Sequence, residues 1–387
     1  MTPPMKLTSL PMYRFLMLLT ISSAVGLQGW RTLFDNFAIN VVGLDGSNIG
    51  VIQSFREIPG FLSLLVVYVM LILKEHRISS LSIIILGIGV GITGLFPTYL
   101  GLIGTTVLMS IGFHYYETTF QSLTLQYFDK KTAPVIFGKL RAIGAASNIA
   151  AGAAIFVLIM YFSYLQMYLL IGGIICLVGV WSFFSNPTDK DLPIQHKKMI
   201  LRKKYWLYYF LTFMAGARRQ VFVAFAVFLL VKRFEFNVQE ITTLFVTNNV
   251  VNYFLSPMIG WAIVKFGERK VLSLEYFSLI FIFVAYAFVD SKMLVTVLYI
   301  LDHIFFNFAI AIRTFFQKIG DPRDIAPSMA VGFTINHIGA VVFPVLGGIM
   351  WMIDYRIPFI IGAGLSLISL IAVQLITSHI NKAEYRS

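Results

Sequence analysis

Apolar runs of about twenty residues or more, separated by short polar segments, recur along the whole 387-residue chain. A helix rising 1.5 Å per residue crosses the roughly 30 Å hydrocarbon core of a bilayer in about twenty residues. The runs therefore predict transmembrane helices at 13–40, 47–73, 79–97, 100–127, 134–162, 165–184, 205–231, 238–264, 271–289, 293–317, 327–352 and 357–378. The fold class expected is an all-α polytopic membrane protein of about twelve helices. The runs leave no stretch long enough for a soluble domain.

Ionisable residues interrupt the apolar pattern at Arg31, Asp35, Arg56, Glu57, Glu117, Arg218, Arg219, Asp302 and His303. Their surroundings are oily: the chain is 58% hydrophobic and 12% charged, with a mean hydropathy of +0.81. An ionised side chain near a bilayer centre costs several kcal/mol unless it faces a polar cavity or a partner. Retaining so many of them points to a water-accessible path through the membrane, the pattern of a transporter. The lone Cys176 excludes a disulfide framework and a thiolate metal cluster.

The net charge of +12 invites a nucleic-acid reading, which its distribution opposes. With the N-terminus inside, 22 of the 30 Lys and Arg fall in inner segments or at span ends. Lys232, Arg233, Lys292 and Arg356 fall outside, and four Arg lie within spans. This positive-inside bias predicts a multi-pass protein of the plasma membrane, a bacterial inner membrane, with both termini cytoplasmic and no nucleic-acid partner. The first span continues past the small residues Ser22-Ser23-Ala24, so it is expected to be retained rather than cleaved as a signal peptide.

The polar, basic segment 185–204 divides the runs into two sets of six, giving an N-terminal bundle over 1–184, a cytoplasmic linker and a C-terminal bundle over 205–387. The halves align at a nearly constant shift. Ile49, Glu57 and Arg77 match Ile241, Asn249 and Arg269; Ala133-Pro134 matches Ala326-Pro327; Gly144 and Gly152 match Gly339 and Gly347. Duplicated six-helix bundles related by an axis along the membrane normal are a known transporter plan. The third, sixth and twelfth runs hold no interior charge, and the ninth only Glu275 near its edge, so every third helix is expected to be an outer, lipid-facing scaffold.

Between the eighth and ninth runs stands Gly260-Trp-Ala-Ile-Val-Lys265-Phe-Gly267-Glu268-Arg269-Lys270, which resembles the signature loop of the major facilitator superfamily, with Val264 where that loop carries an acid. The resemblance implies that Gly260, Lys265, Gly267, Arg269 and Lys270 form a cytoplasmic gate motif. Gly339-Ala-Val-Val-Phe-Pro344-Val-Leu-Gly347-Gly348 is similar to a Gly-Pro-Gly-Gly motif of that superfamily's antiporters, where it belongs to the fifth span instead of the eleventh. The implied fold is the major facilitator fold of two six-helix pseudo-repeats.

Helical spacing places Ser110, His114, Glu117 and Gln121 on one face of the fourth run. An acid three residues from a His is a sensible protonation site, so Glu117 and His114 lead the proton-coupling candidates, followed by Asp35, Glu57 and Asp302. Arg31 and Asp35 share a face and are spaced to pair with each other. Arg56 and Glu57 are consecutive and point about 100° apart, so they are expected to serve different partners. In the second half, Arg218 and Arg219 face only Asp302 as an interior acid. An anionic substrate would supply the missing counter-charge, because a guanidinium holds a carboxylate or phosphate through two hydrogen bonds. Substrate-binding candidates are therefore Arg31, Arg218, Arg219, Asn249, His303, Asn307, Asn336 and His337; for each Asn and His taken singly, bonding helix to helix is the favoured role.

These features predict a secondary active transporter moving a small organic anion by alternating access, coupled to protons and acting as a monomer without cofactor or bound metal. No nucleotide-binding loop is present to supply ATP drive. The alternatives are a transition-metal carrier using His114, Glu117, Asp302, His303 and His337, a drug or metabolite exporter, an intramembrane enzyme and a transport-dead sensor. Two adjacent Arg oppose a cation, and the enzyme reading lacks an HExxH or GxSxG motif.

Overall fold

The computed structural model describes residues 10–188 and 191–385, which form helices joined by short connections apart from the longer segment between Phe184 and Lys203. Helical segments lie over each of the twelve expected spans. They are α1 (Pro11–Asn40), α2 (46–69), α3 (Glu75–Leu95), α4 (Tyr99–Tyr127), α5 (Ala133–Leu158), α6 (Tyr164–Phe184), α7 (Lys203–Phe234), α8 (Val238–Phe266), α9 (Glu268–Phe288), α10 (Lys292–Ile319), α11 (Ile325–Ile353) and α12 (Ile357–Ala383). Among the described residues, eight of these segments are long and apolar enough to cross a membrane: α2, α3, α5, α6, α7, α9, α10 and α12.

The chain separates into two compact units. Unit 1 comprises Met1–Tyr127 with Ile143–Met199, and unit 2 comprises Phe128–Ala142 with Ile200–Ser387. The division therefore runs through α5 as well as through the polar segment after α6.

The internal repeat is written most clearly in the helix caps. Asp45 caps α2 by accepting from the Asn48 backbone N–H at 2.8 Å, and the Asn48 side chain accepts from the Asp45 N–H in return. Asn237 caps α8 with the same reciprocal pair, to Glu240. Thr98 and Ser291 take the N–H of Gly101 and Leu294 at the starts of α4 and α10. Asp129 and Asp321 hold the turns before α5 and α11. Each pair stands at the shift found in the sequence, and each cap satisfies donors that a helix start leaves open. Glu75 and Glu268 likewise repeat: Glu75 accepts from Gln126 at 2.7 Å and Glu268 pairs with Lys318 at 2.7 Å, tying the start of the third helix of each unit to the end of the fourth.

Lipid-facing surfaces show on α6, where Leu170, Ile174, Leu177, Trp181 and Phe184 are exposed, and on α9, where Leu274, Phe277, Phe281, Val284 and Phe288 are exposed. Their alternating three- and four-residue spacing is one face of a helix. The expected outer position of the third helix is not what the structure has. α3 is packed between α4 and α6, because small residues on the neighbours let backbones meet: a Cβ on Gly112 would lie 2.3 Å from the Leu86 nitrogen, and one on Gly172 2.4 Å from the Gly91 Cα. Freedom from charge makes a helix compatible with lipid, but also with burial. In unit 2, Phe225, Leu229, Leu279, Phe283, Tyr286, Leu298 and Phe359 form an apolar core among α7, α9, α10 and α12.

Candidate functional site

Four charged side chains of unit 2 converge on one small cavity. Arg218 and Arg219 come from α7, Glu275 from α9 and Asp302 from α10, with Phe222, Phe283 and Phe306 among the apolar walls. Two irregular turns shape it. α7 widens into a π-helical turn at Val221–Ala226, and α10 tightens into a 3₁₀ turn at Asn307–Ala309. Phe222 of the first turn and Ala309 of the second lie on the cavity wall. The cavity volume is about 20 Å³, space for a water molecule and too little for an organic substrate.

Arg218 is only 3% exposed and is held from three sides. Its Nη2 lies 3.5 Å from Glu275 Oε1, its Nη1 donates to Ser369 Oγ, and its guanidinium stacks 4.1 Å from the centre of the Tyr276 ring. This corrects the sequence-based charge count, in which Asp302 was the only interior acid of the second half. α9 begins at Glu268, so Glu275 lies two turns inside it, buried at 2% exposure. Asp302 is equally buried, and its Oδ2 has no hydrogen-bond partner among the described residues. Counting Glu275, two guanidiniums face two carboxyls, and the deficit that suggested a bound anion disappears. Arg219 is half-buried on the cavity wall.

α7 reaches α11 through glycine. A Cβ on Gly216 would lie 2.1 Å from the Asn336 carbonyl oxygen, and one on Gly339 2.8 Å from the Ala217 nitrogen. The Asn336 side chain donates to the Thr212 carbonyl at 3.2 Å, so it bonds α11 to α7. His337 is buried, with Nδ1 2.9 Å from the Phe333 carbonyl and its ring stacked on Phe333.

Between α8 and α10 a second polar group is bonded internally. Asn307 donates to Asn252 Oδ1 at 2.6 Å, and Asn252 Nδ2 lies 2.8 Å from His303 Nε2. His303 and Asn307 are therefore brought together by Asn252, one of the polar residues of α8. The Asn249 amide donates to the Phe245 carbonyl of its own helix.

In unit 1, His114 is buried on α4, with Nδ1 2.9 Å from Ser110 Oγ, and Ser110 in turn donates to the Arg56 carbonyl. Glu117, one turn on, is half-buried. Arg56 and Glu57 pair with each other, and Arg56 also lies over the Trp30 ring, 5.9 Å from its centre. The Arg56 Nη2 and Nε lie 2.7 and 3.2 Å from one oxygen of Glu57. Two long side chains bend back across the angle that separates their Cβ atoms, and each has the other's charge nearest to hand. Arg31 and Asp35 are exposed on α1.

The proposed gate residues cluster where α8 meets α9. Gly267 has φ +80° and ψ 160°, a backbone region open to glycine and costly for other residues, and it is the single residue between the end of α8 and the start of α9. Gly260 lies against α5, where a Cβ would be 2.4 Å from the Pro134 carbonyl oxygen. Lys265 sits 4.6 Å from the Trp261 ring centre, and Arg269 and Lys270 are exposed.

The sequence profile of the Major Facilitator Superfamily matches residues 14–323. The chain belongs to the major facilitator superfamily. Its fold agrees. The structure of the transporter FucP in the outward conformation, the fucose:proton symporter of E. coli, aligns with a TM-score of 0.76 at 13% identity over 94% of this chain and 98% of that one. A bacterial homologue of the iron transporter ferroportin gives 0.75 at 13% identity, covering 95% and 99% of the two chains. The human organic anion transporter MFSD10 gives 0.72 at 11% identity over 96% and 100%. No curated protein sequence matches significantly. At these identities the likeness speaks for the fold, and the superfamily membership makes this chain a multi-pass membrane transporter of a small-molecule substrate.

Proposed function

We propose that this superfamily member is a secondary active transporter that moves a small organic anion by alternating access and couples that movement to protons. The observation that supports this best is the buried pair of carboxyls, Glu275 and Asp302, bordering one cavity with Arg218 and Arg219. With both acids ionised, the four side chains carry no net charge. A proton added to either acid leaves a guanidinium in excess, and that excess charge attracts an anion bound outside the cavity through surroundings of low dielectric. Proton and anion thereby favour each other's binding.

The cavity admits water, so in this reading Arg218 is the counter-ion of a proton site and the substrate binds elsewhere. Arg31, Arg219, Asn249, His303, Asn307, Asn336 and His337 are the candidates for substrate contact. Asp302 and Glu275 lead the coupling residues, with Glu117 and His114 as a second carboxyl–imidazole pair. Glu57 is held by Arg56, and Asp35 lies open on α1. The transporter works in the plasma membrane, with both termini and the linker on the cytoplasmic side, and an intramembrane enzyme is disfavoured by the superfamily's transport role.

The test begins with a thermal-shift screen of small carboxylates, phosphates and neutral sugars on purified protein, followed by uptake into proteoliposomes. An imposed pH gradient is expected to drive accumulation of the anion that binds. Asp302→Asn should abolish that accumulation while leaving counterflow exchange in place. Gradient-driven uptake at normal rates in both Asp302→Asn and Glu275→Gln would remove this cluster from coupling; loss in Glu117→Gln alone would transfer the role to α4. Stabilisation by neutral sugars only would refute the anion.

A further inference from the structure

A second cavity, of about 370 Å³, opens on the surface of unit 2 between the end of α7 and the end of α11. Its lining is Phe225, Phe228, Trp351, Met352, Gly348 and a single polar side chain, Lys232. That volume falls in the range of small-molecule pockets. The rings of Phe225 and Trp351 lie nearly parallel, 17° apart with centres 6.0 Å apart, and Phe228 meets Trp351 edge-on at 4.9 Å. Gly348 keeps the floor open. A Cβ there would meet nothing within 4 Å, whereas at neighbouring Gly347 it would strike the Phe225 ring at 2.5 Å. Ile349, Met352 and Ile353 around the mouth are exposed, so the groove opens onto an apolar surface.

Lys232 stands apart from the other basic residues at this end of the unit. Arg233 pairs with Asp290 at 2.5 Å, Lys292 pairs with Glu240 at 2.7 Å, and Arg356 donates to the Tyr355 hydroxyl at 3.2 Å. Among the described residues, Lys232 has only an aromatic ring beside it, with Nζ 6.0 Å from the centre of Phe228. A cation without a carboxylate, at an apolar groove that opens onto exposed apolar side chains, suits a ligand with an anionic head and a hydrocarbon tail. Lys at a helix end reaches toward the membrane–water boundary, and Trp is enriched there.

We infer that this groove binds a phospholipid of the surrounding bilayer with an anionic headgroup, its acyl chain against Phe225, Phe228 and Trp351 and its phosphate on Lys232. A zwitterionic lipid offers the same chain and phosphate but brings its own cation, which competes with Lys232. An exposed ion pair of this kind is worth up to about 1 kcal/mol, so the preference for an anionic headgroup is up to about fivefold.

The test is tryptophan quenching by lipids brominated on the acyl chain, in nanodiscs of phosphatidylcholine doped with either brominated phosphatidylglycerol or brominated phosphatidylcholine. Subtracting the signal of Trp351→Phe isolates Trp351 from the other tryptophans. Brominated phosphatidylglycerol should quench Trp351 with an apparent association constant up to about fivefold higher. Lys232→Gln, a surface change, should bring the two lipids to parity, and Gly348→Leu should fill the groove and weaken quenching by both. Folding of each variant is checked by size-exclusion chromatography and circular dichroism. Equal quenching by the two lipids in the wild type overturns the inference, as does a preference that survives Lys232→Gln. Should Gly348→Leu fail to fold, the Lys232→Gln comparison decides the matter alone.

Discussion

Replacing Arg218 by Met removes the cation that Glu275 faces while keeping a long side chain in place. In the wild type, the guanidinium and the Glu275 carboxylate are both nearly sealed from solvent, 4% and 3% exposed in their side chains, at 3.5 Å. Removing one partner of a buried ion pair costs about 3–5 kcal/mol, because the survivor stays buried without compensation. The stacking on Tyr276 adds about 1–2 kcal/mol where the site is desolvated. Some of this is recovered, since Met still packs against Tyr276 and the 3.5 Å separation is longer than a good charge-assisted hydrogen bond. A net loss of about 3 kcal/mol is expected for Arg218→Met.

Double variants separate the loss of the pair from the loss of packing. Arg218→Met with Glu275→Gln removes both charges, so it should be more stable than Arg218→Met alone by about 0.5–3 kcal/mol, the range of coupling seen for residues in contact. Arg218→Met with Asp302→Asn should recover less, because Asp302 borders the cavity without an ion pair to Arg218 within 4 Å among the described residues. Unfolding in detergent, titrated with sodium dodecyl sulfate and followed by circular dichroism, gives the four corners of each cycle. A double variant no more stable than Arg218→Met would show that Glu275 is not the partner of this arginine.

Gly216→Ala forces α7 and α11 apart by about 1 Å and should cost about 1–3 kcal/mol, while Gly348→Ala on α11 should be neutral; equal thermal midpoints for the two variants would contradict the close approach at Gly216. Cys introduced at exposed Lys197 should react with a membrane-impermeant maleimide only after the inner face is opened, and labelling from outside would invert the proposed orientation. Arg323 holds Asp321 down to about 2, below its usual range, so the turn before α11 gains stability that is present above about pH 4 and lost as pH falls through about 2. Hydrogen exchange at the Arg323 and Asp324 amides should therefore be steady from neutral pH to about 5, once corrected for the intrinsic rate, and protection already lost at pH 5 would refute that assignment.

Local rules carried most of what the sequence determined about this protein. Helix extents followed from hydrophobic length, and the caps at Asp45, Asn237, Thr98 and Ser291 fall where short polar residues precede apolar runs. The repeat was legible because a duplicated bundle keeps its caps and turns at one spacing. Arg218, Arg219 and Asp302 stood out in the sequence because charges in apolar runs have few places to go. What the sequence could not supply was the choice of partner. Glu275 meets Arg218 across 57 positions because of how α9 is rotated against α7, and a shift of three residues in the helix start had made that acid look peripheral. Arg56 reached Glu57 because flexible side chains are not bound by the angle between their Cβ atoms. Glycine contacts buried α3 although its composition suited lipid equally well. Periodicity constrains each helix by itself; which faces meet depends on side-chain size and rotation at contacts far apart in the chain, and only the tertiary structure decides those.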